Sequence, residues 1–281
     1  MNNTSDVLIV GINSFLGRAI FERLHAHYNI TGIYHNNVDL TPKNISLLRV
    51  DKIGNLKDTF KYVFIVSSYI PQIGDTDVEQ RLYDANIKLP VTISNLFPNS
   101  RIIFCSSVSV YENVLNNLSI DETTAPSPKS AYSISKLWGE EIVSQHKSYS
   151  ILRISSMYGI GMRRSTFLPK IILSALDTKK ITLLGEGSRF QNYVHVDDVA
   201  KDAIAAAKSE ANDIILAIGD GNFSNIEIAN MVKGTTGCDI VFNGIDTSKS
   251  FSYIRRRKPI DNGKNVDIRN GINELIEWIA K

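Results

Sequence analysis

Cysteine and histidine are scarce in this sequence, and their scarcity excludes several classes of protein. Among the 281 residues there are two cysteines, Cys105 and Cys238, and five histidines. Two cysteines cannot form the disulfide framework of a small secreted protein, or a zinc site by themselves. The histidines show no spacing typical of metal ligands. No bound metal is therefore expected.

A large charge of one sign and long apolar runs are absent as well. The formal net charge is +2, and the longest basic run covers only residues 255–258, so no nucleic-acid partner is expected. No apolar run approaches the roughly 20 residues that span a bilayer. The first residues lack the positive start and apolar core of a signal peptide. We expect a cytoplasmic globular protein with no membrane partner.

Short apolar runs alternate with amphipathic segments through the first part of the chain. Strands that alternate with helices predict an α/β fold with a doubly wound parallel sheet and right-handed crossovers. The predicted buried strands cover residues 6–10, 30–34, 62–68, 101–106 and 150–154.

A glycine-containing turn follows the first predicted strand. Gly11 permits a tight turn, and Gly17 permits close packing of a helix on the strand. Ser14 stands where the G-x-x-G-x-x-G pattern has its middle glycine. Phe15 and Leu16 complete the turn and begin an amphipathic helix, so backbone N–H groups can face a pyrophosphate. The turn predicts dinucleotide binding.

The alternation loosens after Tyr158, which predicts a second, smaller lobe. We expect residues 1–158 and 190–218 to form a dinucleotide-binding domain, and residues 159–189 and 219–281 to form a C-terminal substrate lobe. This lobe would close over the carboxyl edge of the sheet, where open α/β sheets bind their ligands.

The stretch Tyr132-Ser-Ile-Ser-Lys136 carries two reactive groups one helical turn apart. Residues four apart share one face of a helix, so the phenol and the ammonium point the same way. A cation beside a phenol favours the phenolate, so Lys136 is predicted to lower the pKa of Tyr132 from its ordinary value of about 10. The pair alone leaves a solvated helix face as the alternative. The apolar positions of this helix are Ala131, Ile134, Leu137, Trp138 and Ile142.

Taken in chain order, a series of short motifs resembles the extended short-chain dehydrogenase/reductase family over nearly the whole chain. The resemblance implies a Rossmann-type sheet, a nicotinamide dinucleotide, a homodimer, and Ser107, Tyr132 and Lys136 as the catalytic set. The motifs are the glycine turn, Asp51, Val66-Ser67-Ser68, Asn86, Ser106-Ser107-Val-Ser-Val-Tyr111, Tyr132-x-x-x-Lys136, Leu152-Arg153-Ile-Ser-Ser-Met-Tyr158-Gly159, and Gly185-Glu-Gly187 leading to His195-Val-Asp-Asp198.

The resemblance also implies a role for each catalytic residue. Tyr132 exchanges a proton with the carbinol or carbonyl oxygen of the substrate, and Ser107 forms a hydrogen bond to the same oxygen. Lys136 lowers the pKa of Tyr132 and holds the nicotinamide ribose.

Cofactor selectivity depends on the residues after the second strand. An acid there would accept hydrogen bonds from an adenosine ribose and repel a 2′-phosphate. The sequence is Tyr34-His35-Asn36-Asn37, with no acid until Asp39, which favours NADP(H) over NAD(H). Asp51 is expected at the adenine by resemblance, with a helix cap or surface charge as the alternative. The expected cofactor contacts are Gly11, Ser14, Phe15, Leu16, Gly17, His35, Asn36, Asp51, Lys52, Val66, Ser67, Ser68, Asn86, Tyr132 and Lys136.

The segment from Leu184 to Asp198 resembles family members that act on nucleotide sugars. Many of these have an arginine for the diphosphate where Gln191 stands, and Arg189, two residues away, is expected to replace that charge. The predicted ligand is therefore a nucleotide sugar. The expected substrate contacts are Ser107, Ser109, Ser156, Arg189, Gln191 and Arg256.

Several reactions occur in the resembling family, and the residues after Ser107 separate them. Dehydratases place an Asp-Glu pair there, whereas this chain has Val108 and Ser109. A single hydride event at a ring carbon remains. The missing acid after Tyr34 favours a reductase of a nucleotide-linked 4-keto-6-deoxyhexose, with Tyr132 as proton donor. A nucleotide-sugar 4-epimerase with retained NAD is the alternative, and a non-catalytic NADP-binding regulator or scaffold is the alternative from another class.

Overall fold

A seven-stranded parallel sheet forms the centre of the molecule. In the computed structural model, which describes residues 6–43, 45–56, 59–115, 118–255 and 265–281, the spatial order of its strands is β11-β7-β5-β4-β1-β2-β3. Every neighbouring pair is parallel, which confirms the predicted α/β class. The strands are Val7–Val10 (β1), Ile30–Tyr34 (β2), Ser46–Arg49 (β3), Tyr62–Ile65 (β4), Arg101–Ser107 (β5), Tyr149–Ile154 (β7) and Asp213–Ala217 (β11).

Helices cover both faces of this sheet, so its central strands are buried on both sides and consist largely of branched apolar residues. A π-helical turn, Asp84–Lys88, joins α2 to α3. Within the part of the chain that the structure describes, none of the helices is both long and apolar enough to cross a bilayer. The helices are Phe15–Leu24 (α1), Val78–Tyr83 (α2), Leu89–Leu96 (α3), Ala131–Ser144 (α4), Phe167–Asp177 (α5), Val196–Lys208 (α6), Asn225–Thr236 (α7) and Ile268–Ile279 (α8).

Two hydrophobic clusters hold these layers together. One lies between the sheet and the pair α1 and α6, and the other lies between the sheet and the pair α3 and α4. The site described below lies at the carboxyl ends of β1, β4 and β5, where the two layers meet the edge of the sheet.

Smaller sheets and a separate hydrophobic cluster occupy the rest of the chain. That cluster lies among α5, α7 and α8, next to paired short strands. The proposed division into two domains remains a prediction. The short strands are Ser119–Ile120 (β6), paired with Ser252–Tyr253 (β14); Ser156–Tyr158 (β8), Phe190–His195 (β10) and Asn222–Ser224 (β12) in one sheet; and Lys180–Leu184 (β9), paired with Asp239–Asn243 (β13).

Two sheet strands and one long helix were not predicted from the sequence. Strands β3 and β11 are the two edges of the large sheet, where one side lacks a neighbour and the apolar pattern is weaker. Helix α7 lies in a stretch expected to contain only turns and short elements. Its start did carry a signal, because Ser224 and Glu227 form a capping box.

Helix α4 buries the opposite face from the one that its apolar residues suggested. Ile134 and Trp138 are 48% and 55% exposed. The buried positions of the helix are mostly small or charged: Ser133, Ser135, Lys136, Gly139, Glu140 and Val143. Hydrogen bonds and close backbone packing, rather than apolar burial, hold this helix to β5.

Candidate active site at the carboxyl edge of the sheet

The turn after β1 requires both of its predicted glycines. Gly11 has φ of +96°, a backbone conformation that favours glycine, and a Cβ there would lie 2.8 Å from the backbone nitrogen of Ser67. A Cβ on Gly17 would lie 2.1 Å from the carbonyl oxygen of Gly11. The turn and the helix are therefore packed backbone against backbone.

The N-terminus of α1 opens directly from this turn. Ser14 is the N-cap, and its hydroxyl accepts a hydrogen bond from the N–H of Gly17 at 3.0 Å. Phe15 and Leu16 follow as the first helical residues, and neither they nor Gly17 is acidic. A helix N-terminus that a glycine turn exposes, without a nearby carboxylate, fits the pyrophosphate of a dinucleotide.

The other predicted cofactor residues are distributed along three strand ends. Val66 and Ser67 follow β4, and both of their N–H groups bond the carbonyl oxygen of Val10 at 2.9 and 2.8 Å, which places Ser67 and Ser68 beside the glycine turn. His35 and Asn36 follow β2 and are exposed.

Asp51 and Lys52 lie on a short 3₁₀ turn after β3, next to the end of β2. The carboxylate of Asp51 accepts a hydrogen bond from Nε of Arg49 at 2.9 Å, so it is already paired with a cation. Lys52 is exposed.

The predicted catalytic serine and tyrosine meet where β5 ends and α4 begins. Ser107 is the last residue of β5, and Tyr132 is the second residue of α4. Burial raises the pKa of Tyr132, and hydrogen bonding by the Ser107 and Ser68 side chains offsets part of that increase. The phenol thus lies between a hydroxyl predicted for the substrate site and one predicted for the cofactor site.

Lys136 is almost completely buried, at 1% exposure. Its Nζ donates to the carbonyl oxygen of Cys105 at 2.7 Å and lies 4.3 Å from the ring centroid of Phe104. Burial lowers the pKa of Lys136 to about 8. We predicted that Lys136 lowers the pKa of Tyr132. In the structure the groups that do so are Ser107 and Ser68, because the Lys136 ammonium is directed at the β5 backbone.

Asn86 connects the cofactor side of the site to α4. It is completely buried in the π-helical turn. Its carbonyl oxygen accepts hydrogen bonds from Ser68 Oγ at 3.0 Å and Tyr69 N at 3.2 Å, and its amide donates to Ser135 Oγ at 2.9 Å. π-helical turns are frequent at functional sites. The expectation of an Asn86 cofactor contact remains a prediction, while the structure shows it bridging β4 and α4.

The N-terminus of α4 is held by Glu112, which the sequence did not single out. Its carboxylate accepts hydrogen bonds from the N–H groups of Lys129 and Ser130 and, at 2.5 Å, from the hydroxyl of Ser133. Burial opposes the charge of Glu112, but these hydrogen bonds outweigh it and hold its pKa below its usual range. A carboxylate at this end also complements the helix dipole.

A cleft of about 260 Å³ lies beside Ser107 and contains most of the predicted substrate contacts. Ser109, Ser156, Arg189 and Gln191 all line it. Arg256 lies outside the described residues. The cleft is also lined by Glu112, Asn192, Phe190, Phe251, Tyr253 and Lys249.

Lys249 adds a second cation to the cleft, from a loop that carried no sequence signal. Its Nζ donates to the carbonyl oxygen of Val114 at 3.2 Å, and its own carbonyl oxygen accepts from Nε of Arg189 at 3.4 Å. Only the fold brings residues 60 positions apart in sequence to the same rim.

A doubly wound parallel sheet, a glycine turn at its centre, and a half-buried tyrosine one helical turn before a buried lysine define the class: an enzyme of the Rossmann-type dinucleotide-binding fold. The model of the family described as "NAD dependent epimerase/dehydratase family" matches residues 7–219. The chain belongs to this family, which confirms the resemblance seen in the sequence.

Individual relatives match over almost the whole chain. A putative UDP-glucose 4-epimerase of Methanocaldococcus jannaschii is 25% identical over 97% of this chain and 98% of its own. Among solved structures, a UDP-N-acetylglucosamine 4-epimerase from Methanobrevibacter ruminantium superposes with a TM-score of 0.84, at 19% identity, over 99% and 98% of the two chains. A UDP-glucuronic acid 4-epimerase from Bacillus cereus, in complex with NAD, has a TM-score of 0.82 at 20% identity over 98% of both chains.

Proposed function

We propose that this protein is a nucleotide-sugar 4-epimerase. The observation that carries the proposal is the full-length similarity to a putative UDP-glucose 4-epimerase, together with Ser107, beside Tyr132, at a cleft that two cations, Arg189 and Lys249, also line. The solved structures with high TM-scores include 4-epimerases. These comparisons favour the epimerase alternative over the 4-keto-6-deoxyhexose reductase that the sequence favoured.

The residues of the site suit proton transfer at a sugar hydroxyl. The glycine turn and the N-terminus of α1 would hold a nicotinamide dinucleotide, which would supply reversible hydride transfer, taken from one face of a ring carbon and returned to the other. Tyr132 would take the proton from the hydroxyl on that carbon and give it back, and Ser107 would hold the oxygen in place. Epimerisation does not change the oxidation state of the dinucleotide over a full cycle. We therefore expect one dinucleotide to stay bound through many turnovers.

The two cations at the rim of the cleft, Arg189 and Lys249, are suited to the diphosphate of a nucleotide sugar. Arginine and lysine both bind phosphate oxygens, and arginine can do so with two parallel hydrogen bonds. The cleft is also lined by Ser109 and Ser156. Their hydroxyl groups are suited to hydrogen bonds with the hydroxyls of a sugar.

Replacing Arg189 with glutamine is expected to raise KM for the nucleotide sugar about tenfold, with a small change in kcat. The reason is that the diphosphate does not react, so its binding is lost equally from the ground state and the transition state. Steady-state kinetics with the best substrate checks this. The matched control is Arg269→Gln, which removes an exposed arginine on α8 that does not line the cleft. An Arg189→Gln enzyme with unchanged KM would contradict the assignment.

The ketoreductase remains a second candidate because of one feature. The residues after β2, Tyr34 to Asn37, include no carboxylate to repel a 2′-phosphate. The B. cereus 4-epimerase structure contains NAD, which supports NAD for this chain, whereas the residues after β2 support NADP. The choice between the two dinucleotides is therefore part of the test.

The deciding experiment follows the cofactor and the sugar together. Purified protein is denatured to release bound dinucleotide, and fresh protein is then incubated with UDP- and dTDP-linked hexoses and with nucleotide 4-keto sugars. We expect retained NAD and interconversion of C4 epimers, without net change at the absorbance of reduced nicotinamide. Stoichiometric consumption of NADPH by a 4-keto sugar would replace the epimerase with the reductase. Cofactor binding with no turnover on any sugar would favour a regulator.

We also propose a homodimer formed by the outward face of α4 and its neighbours. Ile134 and Trp138 on α4 are exposed, and so are Tyr83 of α2 and Val91 of α3, at 47% and 39%. Helices α2 and α3 both pack against α4. The buried face of α4 is polar, so these apolar side chains are not used by the core of the chain. A second copy would bury them symmetrically.

Replacing Trp138 with lysine is expected to convert the dimer to monomer at micromolar concentration, because a charge would be buried at the centre of the apolar face. Light scattering coupled to size exclusion measures this. Phe242→Lys is the control, since Phe242 is also 55% exposed but lies on β13. A wild-type protein that is monomeric at high concentration would refute the dimer.

A further inference from the structure

A buried charged network of Glu140 and Arg153 lies between α4 and the sheet, next to the proposed catalytic residues. It has no direct part in the proposed proton transfer or ligand binding. Glu140 lies one turn after Lys136 on α4 and is 2% exposed. Its carboxylate accepts hydrogen bonds from Arg153 of β7, with the shortest contact, from Nη2, at 2.6 Å. Burying charged groups costs free energy. This pair is nevertheless buried between α4, which carries Glu140, and the sheet, which carries Arg153.

The network aligns α4 with the end of β5. The hydroxyl of Ser106 donates to Glu140 Oε1 at 2.5 Å, the preceding carbonyl of Cys105 accepts from Lys136, and the side chain of the following Ser107 lies close enough to the Tyr132 phenol to lower its pKa. Three consecutive residues of β5 therefore contact three residues of α4 spaced one turn apart.

The same network closes around the turn that follows the catalytic serine. Arg153 is the register partner of Ser106 in the sheet. Its Nη1 donates to the hydroxyl of Tyr111 at 2.6 Å, and Tyr111 ends the 3₁₀ turn that begins after Ser107. A displacement of Glu140 would thus be transmitted to Ser107 through both the strand and the turn.

Glu140 is also the anionic neighbour of Lys136. The groups that act on Lys136 are the thiol of Cys105 from β5 and the carboxylate of Glu140 from α4, and the ring of Phe104 lies against the ammonium. Arg153 from β7 is bound to Glu140. Burial raises the pKa of the Cys105 thiol to about 12, so that group is neutral at physiological pH. Among the described residues in contact with this buried cluster, the carboxylate that favours the ammonium form of Lys136 is therefore Glu140.

We propose that Glu140 is a positioning residue of this site: held by Arg153 and Ser106, it keeps Lys136 protonated and keeps α4 aligned with β5, so that Tyr132 meets Ser107. The proposal rests on the proposed function, in which Tyr132 transfers the proton and Ser107 holds the substrate oxygen.

The charge state of Lys136 gives the proposal a direct readout. Burial lowers the pKa of Lys136 to about 8, and the neighbouring Cys105 and Glu140 oppose this decrease. Removing the carboxylate takes away an attraction to the ammonium, so the pKa of Lys136 is expected to fall by about one unit or more. A larger fraction of Lys136 would then be neutral at pH 8.

The variants separate the charge from the fold. Glu140→Gln removes the charge and keeps the shape, but it leaves Arg153 buried without its partner, which destabilises proteins. The double variant Glu140→Gln with Arg153→Met removes both charges and serves if the single variant does not fold. Ser150→Ala is the matched control, because the Ser150 hydroxyl also bonds a buried arginine, Arg101, at 2.6 Å, away from the site.

The first measurement needs no substrate. The protein is labelled with ¹³C at the lysine ε-carbons, and Lys136, assigned through Lys136→Arg, is titrated by NMR. A midpoint near 8 in the wild type and Ser150→Ala, lowered in the Glu140 variants, supports the proposal. The same Lys136 midpoint in a folded Glu140 variant overturns it. Because this readout is independent of turnover, it distinguishes a failure of the proposal from a failure of the epimerase assignment.

The second measurement is the dependence of kcat on pH. If Glu140 acts through Lys136, the loss of activity at high pH moves to lower pH in the variants by the same shift, while KM stays within about twofold. A purely structural role would lower the rate equally at all pH values and leave the basic limb in place. That outcome would also overturn the proposal.

Discussion

Tyr132→Phe is expected to lower kcat by about 10² to 10⁴, the range that a positioned proton donor or acceptor contributes, while leaving dinucleotide affinity nearly unchanged. The substitution removes one hydroxyl and keeps the aromatic ring at this position of α4. Without the hydroxyl, the site loses the group beside Ser107 and Ser68 that we propose exchanges the substrate proton. The measurement is turnover of the best nucleotide sugar, together with the amount of cofactor that copurifies.

Tyr149→Phe is the control for this prediction. Tyr149 is a partly buried tyrosine at the first position of β7, at the opposite end of the sheet. It should retain wild-type turnover, which would show that the loss in Tyr132→Phe belongs to the position and not to the removal of a phenol. If Tyr132→Phe kept most of its turnover, the assignment of the proton-transfer residue would be wrong.

Gly17→Ala should remove dinucleotide binding almost completely. The added methyl group would lie 2.1 Å from the carbonyl oxygen of Gly11 and 2.9 Å from the hydroxyl of Ser14, and neither the turn nor the helix cap can move without opening the anion site. We expect an affinity at least about 100-fold weaker, which corresponds to about 2.7 kcal/mol and is typical of overpacking. Calorimetric titration with NAD and NADP measures it.

Gly234→Ala provides the matched control for the glycine turn. Gly234 belongs to α7, and outside the adjacent backbone of that helix no described atom lies within 4 Å of a Cβ built on it. Because alanine favours a helix over glycine by up to about 1 kcal/mol, this variant should bind the cofactor normally and melt at a slightly higher temperature. Equal binding by Gly17→Ala would show that the dinucleotide does not use this turn.

The sequence alone predicted the central part of this fold and of its site because both depend on local patterns. Buried parallel strands appear as continuous apolar runs, and the strand Ile30–Tyr34 was predicted with its observed bounds. The glycine turn and the Tyr132–Lys136 spacing are also local, since they depend on backbone sterics and helix geometry. The edge strands β3 and β11 were missed because an edge imposes a weaker pattern.

Residues brought together from distant parts of the chain were beyond the reach of the sequence. Lys249 and Arg189 are 60 positions apart and meet at one rim of the cleft. The carboxylate of Glu112 bonds the hydroxyl of Ser133, 21 positions later in the chain, and so holds the start of α4. Neither Lys249 nor Glu112 lies in a motif, and a single charged residue in a polar stretch predicts only a solvated surface.

The sequence by itself determined the class of this protein: a glycine turn, a Ser–Tyr–Lys set and alternating strands and helices require only neighbouring residues to specify them. The tertiary structure decided how that set is arranged. It turned the apolar residues of α4 outward, directed Lys136 at the carbonyl of Cys105, and placed Glu140 and Arg153 behind it. These outcomes depend on which surfaces are buried together, and burial is a property of the packed chain rather than of its local periodicity.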